Sequence, residues 1–76
     1  MFVRAVWVEK DVEEEGVVPK SWVDYGRNLL YWPNKADAER LIRKQTAPSM
    51  SWKHFPLKKV KCESGEYTNV KNIQRF

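Results

Sequence analysis

Val17-Val18-Pro19-Lys20-Ser21-Trp22-Val23 and Leu29-Leu30-Tyr31-Trp32-Pro33, joined by Asp24-Tyr25-Gly26-Arg27-Asn28, form the stretch that decides the fold. Both runs are rich in β-branched and aromatic residues, which suit a pleated, half-buried surface, and each carries a Trp. The joining segment is polar, with Gly26 at its centre to supply the positive φ of a tight reversal. The pattern predicts a hairpin of strands 17–23 and 29–32. Val18, Lys20 and Trp22 share one face of the first strand, and this places Trp22 in the core. Pro19 has no amide hydrogen to give to a ladder and belongs at an edge or a bulge.

Upstream, Phe2-Val3-Arg4-Ala5-Val6-Trp7-Val8 is an almost unbroken apolar run, as in a central strand buried on both faces. Glu9 to Glu15 carries six charges around Val12 and reads as an exposed acidic loop. Downstream, Pro33 stops the third strand and Asn34 is placed to cap a helix. Ala36 to Gln45 is the clearest helical segment. Its Ala38, Leu41, Ile42 and Gln45 fall at i, i+3, i+4, i+7, and Glu39 with Arg43 makes an i,i+4 ion pair. Thr46 to Ser51 is a loop of small residues containing Pro48.

Leu57 to Glu63 reads as a strand with Val60 and Cys62 on one face and Leu57 out of phase. Its lysines suggest an edge. Tyr67, Val70 and Ile73 recur every third residue, as in a short C-terminal helix. The expected class is α+β: an antiparallel sheet of three or four strands with one main helix packed on one face, in the order β-β-β-α-β, then a short α.

Seventy-six residues make a single small domain over 1–76, and the chain also reads as one piece of a longer protein. At this length folding buries only about 60% of the unfolded surface. Four Trp, three Tyr and three Phe compensate, since each large aromatic buries roughly 150–250 Å². One cysteine permits no internal disulfide, which points to an intracellular location, nuclear or cytoplasmic. No run approaches the ~20 apolar residues of a membrane span.

The net charge of +4 is uneven. Residues 1–15 carry −3, whereas the remainder carries +7.

Motifs for catalysis are absent. His54 lacks metal-ligand companions, Cys62 lies eight residues away in an apolar slot, and the three glycines are isolated. No catalytic residue, metal or cofactor is indicated, and the expected object is a non-enzymatic binding module. Two surfaces are candidates. Lys20, Arg40, Arg43, Lys44, Lys53, Lys58, Lys59 and Lys61 would converge on nucleic acid, DNA or RNA, if the helix and last strand shared a rim, with Trp52 or Tyr25 stacking on bases. Alternatively Phe2, Val6, Val8 and Trp52 would form an apolar interface for a protein partner or a second copy, because a sheet with one covering layer leaves its other face free.

Val18-Pro19-Lys20-Ser21-Trp22, Tyr31-Trp32-Pro33, Trp52-Lys53-His54-Phe55 and Tyr67 together resemble a small N-terminal module of uncharacterised animal proteins, some of them nuclear or transposon-related. The resemblance spans nearly the whole chain. It implies a non-catalytic module of a nuclear protein acting in transcription regulation, and supplies no catalytic residues.

Overall fold

The computed structural model describes residues 1–34, 37–67 and 70. Five antiparallel strands form one sheet in the order β2-β1-β5-β4-β3: β1 (Phe2–Glu9), β2 (Val12–Pro19), β3 (Val23–Asp24), β4 (Leu29–Trp32) and β5 (Lys53–Ser64). A 3₁₀ turn spans Lys20–Trp22 and the single helix α1 spans Ala38–Arg43. The expectation of three or four strands under one main helix is therefore corrected to a mainly β fold with one short helix.

The acidic run produces the first departure. It is a strand, because only Lys10 and Asp11 turn, with φ of 52° and 65°. Positive φ at both central residues is the geometry of a two-residue hairpin whose twist matches its strands. β1 and β2 then pair without interruption from Glu9↔Val12 to Phe2↔Pro19. Alternation divides the acidic run, with Glu13 and Glu15 on one face and Glu14 on the other. Cations from the neighbouring strands neutralise the first pair: Arg4 and Lys61 contact Glu15 at 3.2 and 2.8 Å, and Lys58 lies 3.8 Å from Glu13. Pro19 closes this edge strand, opposite Phe2.

The lysine-rich strand is likewise not an edge; β5 lies between β1 and β4. Its first four residues pair with β4, from Lys53↔Trp32 to Pro56↔Leu29, and six of its last eight pair with β1. Pro56 sits at the handover between the two ladders, where a missing amide is tolerated. The β1 register shifts twice, leaving Lys58 and Lys61 as extra residues. Each bulge resets the alternation. Leu57 and Val60, out of phase in the sequence, thereby share the face of Trp7 and Ala5, while Cys62 lies opposite Arg4 on the other face, and all three pack against the core.

The anticipated hairpin exists as β3–β4, much shortened: Val23 pairs with Leu30 and Asp24 with Leu29. Its positive φ belongs to Asn28, at 56°, and not to Gly26. Asn tolerates that region because its short polar side chain can bond locally.

α1 is shorter than the 36–45 pattern; Lys35 and Ala36 lie outside the described residues. Asp37, rather than Asn34, occupies its N-cap. Gln45, expected on the buried face, has φ of 51° and ends the helix. The amides of Gln45 and Thr46 donate back to the carbonyls of Ile42 and Leu41 at 3.0 and 3.1 Å, a Schellman closure without the usual glycine. Only Ile42 is buried, so α1 cannot cover a sheet face. Of the expected C-terminal helix, Thr68, Asn69 and 71–76 lie outside the described residues. Tyr67 meets the Phe2 ring edge-on at 5.6 Å, and Val70 is fully buried.

The core is built on indoles. Trp22, fully buried in the 3₁₀ turn, stands edge-to-face against Trp32 and Trp52 with centroids 5.7 and 5.1 Å apart. Its Nε1 donates to the Thr46 carbonyl at 2.7 Å. Trp7 adds a tilted contact to Trp32 at 5.6 Å. Among the described residues, no helix is long and apolar enough to cross a membrane.

Candidate functional site

The eight basic candidates are spread over three elements: Lys20 in the 3₁₀ turn, Arg40 and Arg43 on α1 with Lys44 at its C-cap, and Lys53, Lys58, Lys59 and Lys61 on β5. Five have a carboxylate partner: Lys20 with Glu63 (3.1 Å), Arg40 with Asp37 (3.4 Å), Arg43 with Glu39 (3.3 Å), Lys58 with Glu13 and Lys61 with Glu15. Arg43 also lies over the Tyr67 ring, 5.1 Å from its centroid. Lys44, Lys53 and Lys59 carry no ion pair among the described residues. The hydrogen bond from the Lys61 ammonium, then that from Arg4, holds the Glu15 carboxyl below its ordinary range against the opposing effect of partial burial.

The four apolar interface candidates also divide. Phe2 and Val6 are buried within the chain, at 6% and 4% exposure. Val8 is half-buried, and Trp52 packs on Trp22. Both faces of β1 are therefore largely covered by the chain itself. Arg4 spans one of them and donates from Nη2 to the Val70 carbonyl at 3.0 Å. His54 and Cys62 lie eight residues apart along β5, about 25 Å at strand rise, too far for a nucleophile pair. No group of three or more His, Cys, Asp or Glu among the described residues is placed to hold a metal ion.

The outward face of β4 and β5 is partly open, with Leu29 and Tyr31 half-buried and His54 and Pro56 exposed. Leu30 pairs with Phe55 on the core side. The alternate pairs Tyr31↔His54 and Leu29↔Pro56 point the other way. This outward strip contains no Lys, Arg, Asp or Glu. The Tyr31 and His54 rings stand 6.1 Å apart with their planes tilted at 57°.

Beside them lies a cleft of about 510 Å³, lined by Asp24, Arg27, Tyr31, Pro48, Ser49, Met50 and His54. One wall is the β3–β4 loop, where Asp24 Oδ1 accepts the Arg27 amide at 3.1 Å and the Arg27 side chain stays 3.9 Å from the same carboxylate. The loop before β5 forms the other wall. The Trp52 amide donates to the Ser49 carbonyl and the Ser51 amide to Ser49 Oγ, at 3.0 and 3.3 Å. Asn34 fastens this turn, donating to the Ser51 carbonyl and accepting the Lys53 amide at 3.1 Å. With the turn held by Asn34 and by Trp52 in the core, Met50 projects fully into solvent.

Sequence reasoning missed this set. The available signal was the period-2 division of 29–32, which puts Leu30 and Trp32 on one face and leaves Leu29 and Tyr31 facing away. The meeting of the 24–28 and 48–50 loops had no local signal. Comparison of the chain with protein-family models, with curated proteins and with solved structures finds no match.

Proposed function

We propose that this chain is a non-catalytic protein-interaction module whose contact surface is the outward face of β4 and β5 with its adjoining cleft. The observation that carries the reading is a strand face, directed away from the core, that presents Leu29, Tyr31, His54 and Pro56 without a charged Lys, Arg, Asp or Glu among them. A partly exposed strip of uncharged side chains bordered by polar residues suits an interaction site. Met50 adds a flexible thioether at its margin, a side chain suited to adaptable contacts. The resemblance to modules of nuclear proteins supports a nuclear or cytoplasmic setting and a role in transcription regulation.

Nucleic-acid binding is the second reading. It is favoured by the net charge of +4 and by Lys44, Lys53 and Lys59, whose ammonium groups are uncommitted among the described residues. One NMR experiment separates the two. The ¹⁵N-labelled chain is titrated with a mixture of unstructured peptides, and in parallel with a DNA duplex and a single-stranded RNA at 50 and 200 mM salt. Shifts confined to Asp24, Arg27, Tyr31, Met50 and His54 with peptide support the interaction module. Salt-sensitive shifts at Lys44, Lys53 and Lys59 with nucleic acid, and none with peptide, overturn it.

A further inference from the structure

We infer that the cleft between the β3–β4 loop and the 48–50 turn receives a proline-containing segment of a partner protein in the extended polyproline II conformation. This deepens the proposed function and rests on it. Three features of the cleft select that ligand.

The first is shape. Tyr31 and His54 bring two rings to the cleft, centroids 6.1 Å apart and planes tilted at 57°, against which a flat pyrrolidine ring can lie. Pro48 and Met50 continue the apolar lining on one side. The site is a trough beside a strand ladder, so it suits an elongated ligand. Proline-rich segments dock on aromatic-lined grooves of this kind because they are extended before binding and lose little entropy on it.

The second is hydrogen-bond complementarity. A polyproline II segment has no internal hydrogen bonds, and each proline offers a carbonyl but no amide. Its unmet need is therefore for donors. Around the trough stand the Tyr31 hydroxyl, the His54 ring, the Arg27 guanidinium and the Ser49 hydroxyl, four side chains able to donate, against the single carboxylate of Asp24. A β-strand ligand would present as many amides as carbonyls and would find this lining one-sided.

The third is charge. Asp24 and Arg27, 3.9 Å apart, balance each other among the residues lining the trough. A polyanion would meet the Asp24 carboxylate, whereas an uncharged run of prolines meets no opposing charge.

The test uses decaproline and a length-matched peptide with alternate prolines replaced by alanine, titrated by calorimetry and by ¹⁵N NMR against the full chain. Decaproline is expected to shift Tyr31, Met50 and His54, and the alanine-substituted peptide to bind about tenfold more weakly. Met50→Ala, a change at a fully exposed side chain, should weaken decaproline about threefold while leaving the thermal midpoint unchanged. Tyr31→Ala should abolish binding, with a far-UV spectrum confirming that it folds. If the alanine-substituted peptide shifts the same residues as strongly as decaproline, the inference fails and the interaction module stands. If no peptide shifts them, both fail. Binding that Met50→Ala and Tyr31→Ala leave untouched lies elsewhere and also overturns the inference.

Discussion

Replacing Trp22 with Phe tests whether the indole cluster is the frame on which the cleft is mounted. Three losses follow from the structure. The hydrogen bond from Nε1 to the Thr46 carbonyl, at 2.7 Å, contributes about 0.5–1.5 kcal/mol. The smaller ring leaves roughly 40 Å³ unfilled, about 1 kcal/mol at the usual cavity slope. Of the edge-to-face contacts with Trp32 and Trp52, a phenyl ring in the same place keeps one well formed, and losing the other costs about 0.5–1.5 kcal/mol.

The sum is about 2–4 kcal/mol. A chain of this length has a total stability of about 4–11 kcal/mol, so the variant should fold but unfold at a much lower urea concentration. The assay is urea denaturation followed by far-UV circular dichroism, with the slope m compared to confirm two-state behaviour. A cycle with Trp52→Phe should give a coupling of at least about 0.5 kcal/mol. A loss under about 0.5 kcal/mol, or strict additivity with Trp52→Phe, would refute the packing described.

Three further outcomes are expected. Asp11→Gly relieves a non-glycine residue at φ 65° in the β1–β2 turn and should stabilise by about 0.5–1 kcal/mol, raising the thermal midpoint by about 4 °C in calorimetry. At Gly16 a Cβ would already come within 3.2 Å of the Trp7 ring, which is held against Trp32. Gly16→Val should therefore cost about 1–3 kcal/mol in a chemical melt, and a neutral result would mean that Trp7 is free to move. Glu15 has its folded pKa lowered from an ordinary 4.5. Its contribution is thus fully present above that value and is lost as pH falls through the folded pKa. Wild type should exceed Glu15→Gln in stability at pH 7, and the gap should shrink as pH falls below 4.5 and through the folded pKa. A gap independent of pH would remove the ion pairs with Lys61 and Arg4 from the explanation.

The aromatic interior was legible because its signals are local. Trp22 shares a strand face with Val18, and the apolar run 2–8 announces a strand covered on both sides. What was not legible depends on pairing across the sheet. Seven residues from Glu9 to Glu15 look like a repelling loop until Arg4, Lys58 and Lys61 are known to lie on the adjoining strands. The lysines of β5 look like edge protection until β5 is known to lie between β1 and β4, with the bulge at Lys58 bringing Leu57 and Val60 onto one face. The helix was overestimated because nothing in the composition of Gln45 marks it as a left-handed terminator. The site inherits the same limit: Tyr31 and His54 are paired by register, and Met50 reaches them only through the turn that Asn34 and Trp52 secure. The face foreseen as uncovered on β1 is largely covered by the chain itself, with Phe2 and Val6 buried.

The most direct measurement is a set of intermolecular nuclear Overhauser contacts between isotope-labelled chain and unlabelled decaproline. Contacts from the peptide ring protons to the Met50 methyl group, the Tyr31 ring and Pro48 are the expected result. Contacts confined to the Lys53 and Lys59 side chains, or to Phe2 and Val6 after loosening of β1, would contradict the assignment of the β4–β5 face as the binding surface.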